Sequence, residues 1–272
     1  MSLLLKLLQW FLYPKRKEVS PPVKEDEFIP VDIPQDAADI PADDSTGVMP
    51  EKLIAPPPAV LLPPTLIPTV MWVLDPGHGR LTSGKHSPPL VELGGKPMYE
   101  WEFTRYIVRG VATRLEELGL KYYITVPEEN VGNFLKGRTD RANGLKSTLP
   151  KVFVSVHSNA ARAKSIDHFS HPSAKGIEVW HYHNSPVGAT LAAIFLKSMA
   201  DELGWVNRGV KESSSFYVLK HTDMPAILTE SGFYNNREEV KKLIDPVWRQ
   251  RIIEAHVQAI LYVEQNGIQV PS

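Results

Sequence analysis

Apolar positions along this chain follow two patterns. Between Tyr99 and Leu118, Phe103, Ile107, Val108, Val111, Leu115 and Leu118 recur at three- and four-residue spacing, and Gly119 closes the run. That spacing predicts one amphipathic helix with a C-terminal stop. The same reading predicts helices over about Val187 to Leu203 and Trp248 to Gln265, and a short one over Arg138 to Leu145. The second pattern is the short apolar run of a buried strand. It occurs at Val70 to Asp75, Tyr122 to Val126, Val152 to Val156, Gly176 to Tyr182, Phe216 to Leu219 and Ala226 to Thr229. Strands alternating with helices predict a single α/β domain whose central, mostly parallel sheet is flanked by helices.

Neither pattern holds before residue 69. Thirteen of the 24 prolines lie there, and nine acidic residues fall between Lys24 and Lys52 with no further base among them. This composition predicts a disordered or extended Pro-rich acidic linker over residues 14–68. Residues 69–267 then form the globular domain, and 268–272 a short tail. Residues 1–13 stand apart: Leu3 to Tyr13 is apolar except for Lys6 and Gln9. The run is too short to span a membrane. Its basic cluster, Lys15-Arg16-Lys17, follows the apolar stretch instead of preceding it, unlike a signal peptide. Lys6, Gln9, Tyr13 and Arg16 share roughly one helical stripe. Residues 1–17 therefore read as an interfacial helix that tethers the chain to a membrane surface, or as a helix that docks on a protein partner or on the domain itself.

Composition narrows the chemistry. The 272 residues carry 30 basic and 31 acidic side chains, a formal charge of −1, so no overall field steers the chain to nucleic acid. There is no cysteine, so a metal would have to be held by histidine and carboxylate. Two histidines stand at the ends of strands, in Asp75-Pro76-Gly77-His78-Gly79 and Ser155-Val156-His157-Ser158-Asn159, and a third strand ends in Glu230-Ser231-Gly232-Phe233. Ligands of open α/β sheets bind at the carboxyl ends of strands, so these three segments point to one site, which we read as a zinc site. A third ligand is available in the first turn of the Tyr99–Leu118 helix, where Glu100 and Glu102 point about 200° apart. Spacing relative to Phe103 and Ile107 favours Glu100, with Glu102 as the rival. Glu230 is then the proton-handling carboxylate, and Asp75 orients His78 or hydrogen-bonds the loop. Arg138 reads as an anchor for its helix, and Trp72, Trp180 and Trp205 as core or sheet-face residues. His181 and His183 share a strand face but lack a carboxylate partner, which suits a surface or cleft-lining role; His221 is a candidate for substrate contact, or else fills its loop.

Taken together, Asp75-Pro76-Gly77-His78-Gly79, Glu100, Arg138-Thr139-Asp140-Arg141-Ala142-Asn143, Ser155-Val156-His157-Ser158-Asn159-Ala160 and Met224 to Phe233 resemble the zinc-dependent N-acetylmuramoyl-L-alanine amidases of type 3. The resemblance spans roughly residues 71–265, with the motifs in family order. It implies zinc held by His78, Glu100 and His157, and Glu230 as the catalytic glutamate. It also implies hydrolysis of the peptidoglycan amide between N-acetylmuramic acid and L-alanine. One segment departs from the family: Glu100-Trp101-Glu102-Phe103-Thr104 stands where Glu-Lys-Asp-x-Asn is usual. With Thr104 in the Asn place, Glu100 is the ligand. This form, with the insert Gly84 to Pro97, is similar to versions in some phages and Bacteroidetes-type bacteria. A phage lysin, a virion-associated hydrolase and a bacterial envelope enzyme all fit. A metallopeptidase acting within the stem peptide and an inactive peptidoglycan-binding module are the alternatives.

Overall fold

The computed structural model describes residues 66–269. The expected segment 1–13, nearly all of the linker 14–68 and the last residues of the tail lie outside the described residues. The elements run β1 (Met71–Pro76), α1 (Glu100–Glu117), β2 (Lys121–Ile124), α2 (Leu135–Gly144), β3 (Lys151–Asn159) and β4 (Ile177–Tyr182), then α3 (Pro186–Leu203), β5 (Asn207–Ser213), α4 (Tyr217–Lys220), β6 (Ala226–Phe233), α5 (Arg237–Ile244) and α6 (Pro246–Asn266). They build one six-stranded sheet in the order β2-β1-β3-β6-β4-β5. Neighbours pair in parallel except β4 with β6, so the sheet is mostly parallel.

Successive strand residues face opposite sides of the sheet, and the two sides are covered unequally. Trp72, Leu74, Val152, Val154, Ile177, Val179 and Ile227 join the large core under α1, α3 and α6. Val73, Phe153, Ala226 and Leu228 face a smaller cluster closed by Ala142 of α2 and by Val218 and Leu219 of α4. The helices start where side chains satisfy their free amides. Ser185 Oγ accepts from Gly188 N, Asn236 Oδ1 from Glu238 N and Glu239 N, and Asp245 Oδ1 from Val247 N and Trp248 N. Pro186 and Pro246 occupy the first helical positions, where a missing N–H costs nothing.

Three elements differ from the sequence expectation. Phe216 to Leu219, read as a strand, is the N-cap and first three residues of the helical turn Tyr217–Lys220. Four apolar residues in a row suit either form, and here Phe216, Val218 and Leu219 cap the small core. Strand β5 was not anticipated, because its sequence Asn207 to Ser213 is polar and it pairs only with β4 at the edge of the sheet. Helix α5 escaped because only Glu239, Val240 and Leu243 of its eight residues are buried.

The topology opens a crevice where the site lies. The chain leaving β1 returns to β2 on one side, whereas that leaving β3 goes to β4 on the other. The carboxyl ends of β1 and β3 therefore border a cleft, as at the switch points of other open α/β sheets.

Candidate metal centre and hydrolytic cleft

His78 follows β1 in the left-handed backbone region (φ 59°), uncommon for a residue with a side chain. Two buried guanidinium groups hold it there: Arg105 Nη1 donates to the His78 carbonyl at 3.1 Å, and Arg138 Nη2 donates to the same oxygen. Arg138 is itself fixed by Asp75, whose Oδ1 accepts from Arg138 Nη1 at 2.7 Å and from Thr125 Oγ1, while Oδ2 accepts from Ser155 Oγ at 2.6 Å. Burial works against the Asp75 charge, but Arg138 and the two hydroxyls outweigh it and leave the pKa below the ordinary value. Asp75 thus positions His78 through Arg138 and the backbone, not by touching the imidazole. Arg138 accordingly anchors the loop as well as its helix.

His157 projects from β3, and Glu100 from the first turn of α1, where a carboxylate also suits the helix dipole. Glu100 is 1% exposed; Glu102 is exposed and faces away from the cleft. Thr104, one turn after Glu100, donates to the Gly77 carbonyl at 2.8 Å and so ties α1 to the His78 loop. Glu100 Oε2 lies 3.3 Å from His78 Nε2, and Oε1 lies 3.1 Å from His157 Nδ1. The ring centroids of the two histidines are 5.0 Å apart and edge to face. One ligand atom from each of the three residues falls within a 4.8 Å group, so the triad could hold a metal ion.

The surrounding hydrogen bonds specify what that triad attracts. His78 Nδ1 faces Asn133 Oδ1 at 3.0 Å, an acceptor, so Nδ1 carries the proton and Nε2 presents a lone pair. Ser155 Oγ gives its proton to Asp75 and accepts from His157 Nε2 at 3.2 Å, which leaves a lone pair on Nδ1. Burial depresses His78 to a pKa of about 4, so its imidazole is neutral near pH 7. Two imidazole lone pairs therefore converge on a buried carboxylate, and Glu100 Oε2 has no hydrogen-bond donor. Electron pairs facing each other in this way repel unless a cation sits among them. Two imidazoles and one carboxylate are a donor set that zinc takes in hydrolases, with a position left open.

Glu230 stands beside the triad. It is the partner of His157 in the parallel β3–β6 register and of Glu178 in the antiparallel β6–β4 register. Its Oε2 is buried without a hydrogen bond. Burial, then the charges of Glu100 and Glu178, push its pKa well above the ordinary glutamate value, with Lys85 opposing. The triad, Glu230 and Lys85 line a cleft of about 470 Å³ together with Asn133, Ser158, Asn159, Phe216, Tyr217 and Tyr234.

Other singled-out residues lie elsewhere. His181 is buried and its Nδ1 contacts the Tyr182 carbonyl, while His183 pairs with Glu212 at the exposed edge, so neither lines the cleft. The His221 ring stacks on Tyr217 at 4.2 Å instead of lining the cleft itself. Trp72 and Trp205 are core residues, and Trp180 is partly buried against Phe216. Sequence reasoning passed over Asn133, Lys85 and Glu178. The first two sit in loops without periodicity, whereas Glu178, a carboxylate between the buried Ile177 and Val179, was a usable signal.

An α/β domain with a His/Glu/His group able to hold a metal ion, and a buried glutamate beside it, is an arrangement suited to metal-assisted hydrolysis. Residues 73–262 match the family model for N-acetylmuramoyl-L-alanine amidase, and the chain belongs to that family. It is 29% identical to an uncharacterised cell wall amidase of Bacillus anthracis, over 72% of this chain and 36% of that protein. It is 27% identical to the N-acetylmuramoyl-L-alanine amidase LytC of Bacillus subtilis, over 67% of this chain and 33% of the relative. The chain thus covers about a third of the length of these two relatives. Among solved structures, an N-acetylmuramoyl-L-alanine amidase from Clostridium difficile 630 superposes with a TM-score of 0.61 at 26% identity, covering 73% of this chain and 98% of that one.

Proposed function

We propose that this protein is a zinc-dependent peptidoglycan hydrolase that cleaves the amide between the lactyl group of N-acetylmuramic acid and the L-alanine of the stem peptide. The observation that carries this reading is the convergence of two imidazole lone pairs on the buried Glu100 carboxylate, whose Oε1 accepts from Ser158 N at 3.1 Å while Oε2 has no donor, beside Glu230, whose Oε2 has none either. Family membership supports the choice of bond.

His78, Glu100 and His157 would hold the metal. Bound zinc would supply a Lewis acid that polarises a carbonyl and makes water acidic. Asn133 and Ser155 fix the imidazole tautomers so that the ligating nitrogens stay unprotonated. Glu230 takes a proton from the attacking water at its free Oε2 and returns it to the leaving nitrogen of L-alanine. Its raised pKa makes it a stronger base than an exposed glutamate, which suits the acceptance step. The substrate is bacterial cell wall. Tethering through residues 1–17 would serve a phage lysin, a virion-associated hydrolase or an envelope enzyme.

Mass spectrometry of digested peptidoglycan tests the reading. The expected products are glycan with intact lactyl groups and peptides that begin at L-alanine. Peptides cut internally, with the muramoyl amide intact, would replace the amidase by a stem-peptide metallopeptidase.

A further inference from the structure

One cation in the cleft has no assigned task. Lys85 lines it, from the loop between the His78 turn and α1. The loop is pinned: the Lys85 carbonyl accepts from Glu100 N at 3.0 Å, His86 bridges to Tyr99, and Ser87 Oγ accepts from Met98 N. The Lys85 backbone is thereby locked to the turn that carries Glu100. Its ammonium has no ion-pair or hydrogen-bond partner among the described residues, and its charge reaches His78, Glu100 and Glu230. The other charged lining residues are accounted for. Arg138 and Asp75 neutralise each other at 2.7 Å. His78, Glu100 and His157 face one another, Glu230 stands beside them, and the Lys85 ammonium is the charged group in the lining without a partner among the described residues.

We propose that Lys85 binds a free carboxylate on the peptide side of the scissile amide, so that the enzyme prefers stem peptides whose residue after L-alanine keeps its carboxylate over those in which it is a carboxamide. The inference rests on the amidase reading. It falls on the peptide side because the muramoyl side of that bond carries no ionised group. A partly buried ammonium in a concave site is screened less than one on an open surface, so the pairing contributes to binding.

The test uses two muramoyl dipeptides that differ only in carboxylate versus carboxamide on the second residue. The wild type, Lys85→Met and Lys85→Arg are compared for kcat/KM, and calorimetry measures binding of the two released dipeptides. A charge-assisted hydrogen bond predicts a preference for the acid of about tenfold, carried by KM. Lys85→Met should erase that preference in hydrolysis and in binding, and Lys85→Arg should keep most of it. A wild type without preference, or a Met variant that loses both substrates in equal proportion, would overturn the proposal and leave Lys85 as a group acting at the reacting atoms or holding its loop. If neither substrate is cut while the released acid still binds more tightly through Lys85, the carboxylate site stands and the amidase reading falls.

Discussion

Two concavities among the described residues differ in kind, and the larger of the two is not the one with the chemistry. A groove of about 700 Å³ runs between α1 and α6, lined by Arg105, Tyr106, Arg109, Arg114 and Arg249. The cleft at the carboxyl ends of β1, β3 and β6 holds about 470 Å³. In the groove the charges are spent: Arg109 pairs with Glu129 at 3.0 Å, Arg114 with Glu117 and Glu254, and Arg249 Nε donates to the Leu243 carbonyl at 2.6 Å. In the cleft, Glu100 Oε2 and Glu230 Oε2 have no donor at all. Unsatisfied buried polar atoms are costly, so a fold that keeps them has a use for them. The two concavities meet on one helical turn, with Glu100 facing the cleft and Glu102 the groove.

That turn provides the largest expected contrast. His78→Ala, His157→Ala and Glu100→Gln should each lower zinc content, read by elemental analysis, and abolish hydrolysis. Full zinc retention in all three would break the distinction between cleft and groove. Next comes Glu230→Gln, which should keep zinc and fold yet lose roughly 10²–10⁴-fold in turnover, the usual share of a general acid–base group. Loss of zinc in that variant would make Glu230 a ligand.

Support for the cleft can be separated from its chemistry by denaturation. Asp75→Asn leaves the buried Arg138 guanidinium without its counter-ion. Breaking a buried pair in this way costs about 3–5 kcal/mol, measurable as a shift in urea midpoint. Behind the cleft, His256 of α6 donates from Nδ1 to the Ile252 carbonyl and accepts the Thr229 hydroxyl at Nε2, next to Glu230 in sequence. Burial lowers its pKa from 6.5 to about 4. The unfolded chain therefore takes up the proton first as pH falls below 6.5, and stability declines from there to about pH 4, by at most ~3 kcal/mol. Melting curves across that window should show the slope, and His256→Gln should flatten it. The smallest effect belongs to the groove: Glu102→Gln and Arg109→Ala should change stability by no more than about 0.5 kcal/mol and leave hydrolysis intact.

How much of this was legible in the sequence depends on how each residue does its work. Strands β1, β3 and β6 were readable because both faces are buried and the apolar run is nearly continuous. Strand β5 was not, since an edge strand with one neighbour can be built from Asn, Arg, Lys, Glu and Ser. His78, His157 and Glu230 stood out because strand ends give them a position in the sequence pattern; helical spacing favoured Glu100 over Glu102, and Glu100 is the buried one of the two. Asn133 and Lys85 left no such trace. They reach the cleft only through loop closure, Asn133 from a segment 55 residues beyond the histidine it contacts.

Gly77 sets how closely the chain after β1 can approach His157. A Cβ built there would come within 2.2 Å of the His157 ring, so the backbone after β1 lies directly against the imidazole from β3. The position of the His157 ring is therefore bounded on one side by main chain. Any side chain at position 77 would have to push that ring away from Glu100, so even a methyl group there is a lever on the geometry of the triad.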